Sequence, residues 1–155
     1  MPQPDLIEFD WSFRSYRILV DMSSNATVLV VEDNGPLSFA FVFQLKKLGI
    51  VAETAADGIE AIEKVRSGSY NLILMDIQMP KMDGIEATRK IRELERTEDR
   101  TAAIIVAVTG GGAKQDRCIE AGMNAYFEKP LLIEGMKQII EESAPHLLKP
   151  VDKTG

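Results

Sequence analysis

Apolar positions along this chain fall into two alternating patterns. Unbroken runs such as Thr27-Val28-Leu29-Val30-Val31, Leu72-Ile73-Leu74-Met75 and Ala102 to Val108 have the length and β-branched content of strands covered on both faces. Between them lie longer stretches with helical spacing and recognisable ends. Pro36 suits a first helical turn, where its missing N–H is no loss, and Gly49 stops that helix after Leu48. Asp57 with Glu60, and Asp83 with Glu86, have the spacing of capping pairs for helices ending near Gly68 and near Arg96. A weaker strand is expected over 51–55 and a short last one at Ala125-Tyr126-Phe127, with helices over about 114–121 and 132–143. Apolar residues of the helix that Pro36 opens, Leu37, Ala40, Phe41, Leu45 and Leu48, are expected in the core.

Five strands alternating with five helices predict an α/β fold with a parallel sheet. Right-handed crossovers leave few topologies, and the flavodoxin-like (βα)5 three-layer sandwich of order 2-1-3-4-5 accommodates the pattern, with strand 51–55 at an edge. In that order Asp33 and Asp76, each at the end of a buried strand, face one another across the crevice where ligands bind.

Residues 1–26 follow neither pattern. Leu6, Phe9, Phe13, Tyr16 and Val20 recur at helical spacing, with Asp5 and Glu8 as a capping pair. Ile7, Phe9, Trp11 and Phe13 also alternate strictly, as a strand would. The caps and length favour a helical N-terminal extension, with Met22 to Asn25 as linker and residues 5–20 as a candidate self-association surface. The domain proper is expected over 27–143, followed by a tail over 144–155.

Composition narrows the classes. In 155 residues, 45% hydrophobic and 27% charged, there is material for one globular domain. The net charge of -6 argues against sequence-independent nucleic-acid binding, which depends on basic patches. No apolar stretch approaches the ~20 residues of a membrane-spanning helix, and no secretion signal opens the chain. The single cysteine, Cys118, allows no internal disulfide and fits a reducing compartment, so a cytoplasmic protein is expected, or a nuclear one in a eukaryote.

The candidate chemistry sits at the strand ends. Glu32, Asp33 and Asp76 gather about three negative charges that repel unless protonated or bridged by a cation. Oxygen ligands without His or Cys favour Mg²⁺ over zinc. Thr109 and Lys129 end the next two strands and open onto the same rim, adding a hydroxyl and an ammonium. A carboxylate nucleophile, a metal site, an ammonium and a hydroxyl together form a phosphoryl-binding set. Each alone has a plainer reading, as a helix cap or a solvated charge; it is their conjunction that carries the inference.

Glu32-Asp33-Asn34, the run Met75-Asp76-Ile77-Gln78-Met79-Pro80-Lys81-Met82-Asp83-Gly84, Thr109, and Tyr126 to Lys129-Pro130 closely resemble the receiver domain of two-component response regulators. The helix ending Arg89-Lys90-Ile91-Arg92-Glu93-Leu94-Glu95-Arg96 is most similar to receivers attached to hybrid histidine kinases. The resemblance implies that Asp76 takes a phosphoryl group from a phosphohistidine donor, a histidine kinase or histidine-phosphotransfer protein. It also implies Mg²⁺ held by Asp33, Asp76 and the backbone carbonyl of Gln78, with Glu32 acting through water. Thr109 and Lys129 would hold the phosphoryl oxygens, the peptide before Pro130 would be cis, and Thr109 and Tyr126 would form the switch. A downstream protein is expected on the face of the fourth helix, fifth strand and fifth helix.

Some features depart from that pattern or compete with it. Gly110-Gly111-Gly112 follow the threonine where the family usually has Ala first, which makes the switch loop more mobile. The same triplet lacks the spacing and the Ser/Thr of a nucleotide-binding loop. A phosphatase-like hydrolase would need a second Asp two residues after Asp76, where Gln78 stands; a phosphate-independent binding module would not need the acidic set at all. His146 follows Pro145 in a poorly patterned tail and is no phosphodonor, and Cys118 reads as helix packing. After residue 143 the chain is too short for a DNA-binding module, so the expectation is a stand-alone receiver that works by protein contact.

Overall fold

The computed structural model describes residues 5–11, 14–20, 27–112 and 115–148. Two short strands open it, β1 (Asp5–Trp11) and β2 (Arg14–Val20), paired antiparallel from Asp5↔Val20 to Trp11↔Arg14. The helix expected over this segment is therefore corrected to a hairpin. The period-two alternation of Ile7, Phe9 and Trp11, with β-formers Tyr16, Ile18 and Val20 opposite, prevails over the Asp5–Glu8 capping spacing. The linker over 22–25 and the tail beyond 148 lie outside the described residues.

From residue 28 the chain alternates strand and helix: β3 (Val28–Val31), α1 (Gly35–Lys47), β4 (Ala52–Ala55), α2 (Gly58–Ser67), β5 (Leu72–Met75), α3 (Gly84–Thr97), β6 (Ile104–Thr109), α4 (Gln115–Glu120), β7 (Ala125–Glu128) and α5 (Ile133–Ser143), then a 3-10 turn at Pro145–Leu147. The five strands from β3 onward form one sheet, all parallel, in the order β4-β3-β5-β6-β7. Counted within the sheet this is 2-1-3-4-5, the flavodoxin-like order expected from the alternation. The weakly apolar strand Ala52–Ala55 does take an edge.

The helices start where the sequence signals them. Asn34 accepts from Leu37 N, Asp57 from Glu60 N and Asp83 from Glu86 N, so α1, α2 and α3 each open on a side-chain cap. Two apolar layers flank the sheet. Leu29, Val31, Ile73, Met75, Ile105 and Ala107 point to one, Val28, Val30, Leu72, Leu74, Val106 and Val108 to the other. That split is what two covered faces require of continuous apolar strands. On α1, Phe41 and Leu45 are buried, while Leu37, Ala40 and Leu48 are only partly so. Phe39 stays 71% exposed and stacks on Phe43 at 6.3 Å. Cys118 is fully buried, and burial raises its thiol pKa, so it packs rather than reacts. No helix among the described residues is long and apolar enough to cross a membrane.

Candidate functional site at the carboxyl rim of the sheet

Register brings the acids together. Val31 pairs with Met75, and Asp76 N donates to Val31 O at 2.9 Å, so Glu32, Asp33 and Asp76 leave adjacent strands at one level. Carboxylate oxygens of the three lie within 4.8 Å of one another. Glu32 and Asp76 are buried, whereas Asp33 is exposed at the rim. Glu32 is fixed at both oxygens, by Asn34 N at 3.1 Å and by Lys129 Nζ at 2.7 Å. Lys129 Nζ also stands 3.5 Å from Asp76 Oδ2, so a single ammonium bridges the two buried carboxylates.

Two neighbouring strands deliver the other groups. Thr109 pairs with Glu128, and Lys129 N donates to Thr109 O at 2.7 Å, which ties Lys129 and Thr109 into one rim. The Thr109 hydroxyl is buried and has no hydrogen-bond partner among the described residues. A buried unpaired hydroxyl is costly, and one beside a carboxylate cluster points to a ligand oxygen as its missing partner. The Lys129–Pro130 peptide is cis. Tyr126 is partly buried against the core layer that contains Cys118, and burial, then Glu128, raises its phenol pKa.

Electrostatics single out Asp76. Burial, and then the negative charge of Glu32, push its carboxyl from an ordinary 3.8 up to about 6, with Lys129 pulling the other way. Such a group is poised to take a positive charge. Three oxygen donors without nitrogen or sulfur fit a hard divalent ion of the Mg²⁺ kind, which would lower the repulsion between them. Asp33, Asp76 and Glu32 are the side chains placed to hold it, and Gln78 lines the same groove as Asp33.

Of the residues expected from sequence, Glu32, Asp33, Asp76, Thr109 and Lys129 meet at this rim, with Gln78 beside it. His146 lies far from them, in a cavity at the opposite ends of β5 and β6 with Asn71 and Ala103. Two neighbours escaped sequence reasoning. Arg117 of α4 lines the groove with Asp33, Gln78 and Gly112. Lys81 reaches back to Asp57 at 3.0 Å, although Asp57 reads in sequence only as a helix cap. Neither carries a local signal, because both depend on where separate loops meet.

A doubly wound parallel sheet with an acidic, lysine-bridged crevice at its carboxyl rim defines a flavodoxin-like domain whose clustered carboxylates could hold a metal ion. The chain belongs to the response regulator receiver domain family, whose model matches residues 28–141. It is 41% identical over 114 residues, 67% of this chain, to the hybrid signal transduction histidine kinase B of Dictyostelium discoideum. It spans only 6% of that kinase's length. Among solved structures it resembles the receiver domain of the sensor histidine kinase PA1611 from Pseudomonas aeruginosa PAO1, which holds a magnesium ion in its active-site cleft. That likeness is 34% in sequence with a TM-score of 0.68, covering 77% of this chain and 98% of the other. It also resembles the Ssk1 receiver domain of Saccharomyces cerevisiae, crystallised with the histidine phosphotransfer protein Ypd1. Here identity is 30% and the TM-score 0.72, over 81% of this chain and 92% of the other.

Proposed function

We propose that this receiver domain accepts a phosphoryl group on Asp76 from a phosphohistidine donor, a histidine kinase or a histidine-phosphotransfer protein, and passes the signal on by protein contact. The observation that carries this reading is the lysine-bridged pair of buried carboxylates beside an unpaired Thr109 hydroxyl. Mg²⁺, when bound, would neutralise charge on the transferred group. Asp33 and Asp76 would hold it directly, with the Gln78 main-chain carbonyl, and Glu32 through water.

In the transfer, an Asp76 carboxylate oxygen attacks phosphorus, a P–O bond forms and the donor's P–N bond breaks. The imidazole leaves with the bond's electron pair and takes a proton from solvent. Lys129 shifts its ammonium from the carboxylates to a phosphoryl oxygen, and Thr109 donates its hydroxyl to another. Thr109 drawn toward the phosphoryl group leaves room for Tyr126, the second half of the switch, and so alters the face made by α4, β7 and α5. The half-exposed Ile119 on α4 supports that face as the contact for a downstream protein. The likeness to PA1611 and to the Ssk1 receiver favours the metal and the phosphotransfer partner respectively. Residues 5–20 remain a self-association surface in this reading, and the compartment is the cytoplasm, or the nucleus in a eukaryote.

The test is labelling by a small acyl phosphate with Mg²⁺ or with EDTA. The reading expects one phosphoryl group per chain with Mg²⁺, little with EDTA, and strong loss in Asp33→Asn. Labelling that ignores both Mg²⁺ and Asp33 contradicts it.

A further inference from the structure

The loop from Asp76 to Gly84 is pinned at its base by backbone crowding. A Cβ on Gly84 would stand 2.1 Å from Asp76 O, and Gly84 N donates to Ile77 O at 2.9 Å. Its far limb presses on the start of α2, where a Cβ on Gly58 would meet Met82 O at 2.9 Å and Ala87 Cβ at 3.0 Å. Between these two contacts the chain makes a tight reversal. Met82 N donates to Pro80 O at 2.7 Å around Lys81, whose φ is +67°. This is a γ-turn in its strained left-handed form, with a long side chain at the position glycine would favour. A contact to a residue outside the turn would help to hold it.

The Lys81 ammonium makes such a contact, to Asp57. Asp57 uses Oδ1 to accept from Glu60 N at 2.9 Å and Oδ2 to accept from Lys81 Nζ at 3.0 Å. The Asp57 carboxylate is nearly buried, and the α2 backbone N–H and then Lys81 keep it ionised by lowering its pKa. We propose that the Lys81–Asp57 ion pair is a latch that holds the γ-turn closed and thereby sets the position of Gln78, midway between the pinned base and the turn. Lys81 and Asp57 are positioning residues; neither touches the acidic crevice. The consequence for metal binding rests on the reading of Gln78 as a main-chain ligand, whereas the latch itself does not.

Two readouts on the same proteins separate those ideas. Wild type, Lys81→Ala, Asp57→Asn, the double variant and Lys81→Arg are compared. Asp57→Asn keeps an oxygen to cap α2, so the helix start survives. In EDTA, amide exchange at Met82 should be about three- to fivefold faster in each single variant, the span expected for a partly exposed ion pair. The double variant should exchange no faster than either single variant, and Lys81→Arg should stay near wild type. Mg²⁺ affinity, from amide shifts near residues 32–33 and 76–78, should weaken by a similar factor in both single variants. Simple electrostatics predicts opposite signs, since removing Lys81 would tighten a cation and removing Asp57 would loosen it. Opposite signs, or Met82 exchange unchanged in the single variants, overturn the latch. A wild type that binds no Mg²⁺ while Met82 exchange follows the expected pattern supports the latch and counts against the metal reading instead.

Discussion

Asp76 is surrounded by conditions that disfavour its own charge: it is buried, it faces Glu32, and one shared lysine offsets only part of the repulsion. Its folded pKa of about 6 lies above the ordinary 3.8, so the folded state binds its proton more tightly than the unfolded state does. That stabilisation is fully present below about pH 4 and is lost as pH rises through 6. In EDTA, Asp76→Asn should therefore be more stable than wild type at pH 7 by on the order of 1–2 kcal/mol, less than the full shift implies because Lys129 loses a partner. Urea titrations at several pH values should show the gap closing toward pH 4, and a gap independent of pH contradicts the assignment. At Gly84 the constraint is steric. Gly84→Ala should destabilise by about 3 kcal/mol, since backbone rather than a flexible side chain occupies the space. Such residue-scale facts divide sharply in legibility. The acids, Thr109 and Lys129 announce themselves at strand ends, but the Asp57 carboxylate shared between Glu60 and Lys81 does not, because nothing local joins positions 57 and 81.

Elements were readable wherever one period dominated. The runs of β3, β5 and β6 and the caps of α1, α2 and α3 are encoded over a few residues each. The segment 5–20 carries two periods at once, and capping spacing proved a weaker guide there than alternation of β-branched and aromatic residues. The loop after β6 is glycine-rich by sequence, and the three glycines differ in structure. Gly111 and Gly112 have φ of +100° and +85°, whereas Gly110 does not need a left-handed backbone and has open space where a Cβ would go. Gly110→Ala should therefore fold normally, gain up to about 1 kcal/mol, and narrow the conformations of residues 109–112 seen by NMR. Gly111→Ala should destabilise instead, because alanine at that φ is strained. Equal effects of the two substitutions would remove the conformational distinction.

Across the molecule, separate elements are joined by arginines whose roles sequence could not show. Arg92 of α3 donates to Gly122 O at 3.0 Å, Ala103 O at 2.8 Å and Asn124 Oδ1 at 2.9 Å, and pairs with the buried Glu95 at 2.7 Å. Arg100 donates to the carbonyls of Val65, Arg66 and Gly68 and so closes the end of α2. Arg92→Met should cost about 3 kcal/mol in urea unfolding, because it leaves Glu95 buried without its cation. A loss below about 1 kcal/mol, the scale of a surface pair, would show that the network bears little of the fold. These ties stiffen the α3 side and the far end of the sheet, while the carboxyl rim keeps its unpaired Thr109 hydroxyl and crowded acids.

The unpaired hydroxyl and crowded acids at that rim make phosphotransfer the decisive measurement. The chain is mixed with Mg²⁺ and a histidine-phosphotransfer protein phosphorylated on histidine, and the phosphoryl group is followed by intact mass and then by site mapping. Transfer to one position, Asp76, as a base-labile acyl phosphate is expected, with none received by Asp76→Asn although that variant is folded. Phosphate on another residue, or equal transfer to Asp76→Asn, would contradict it.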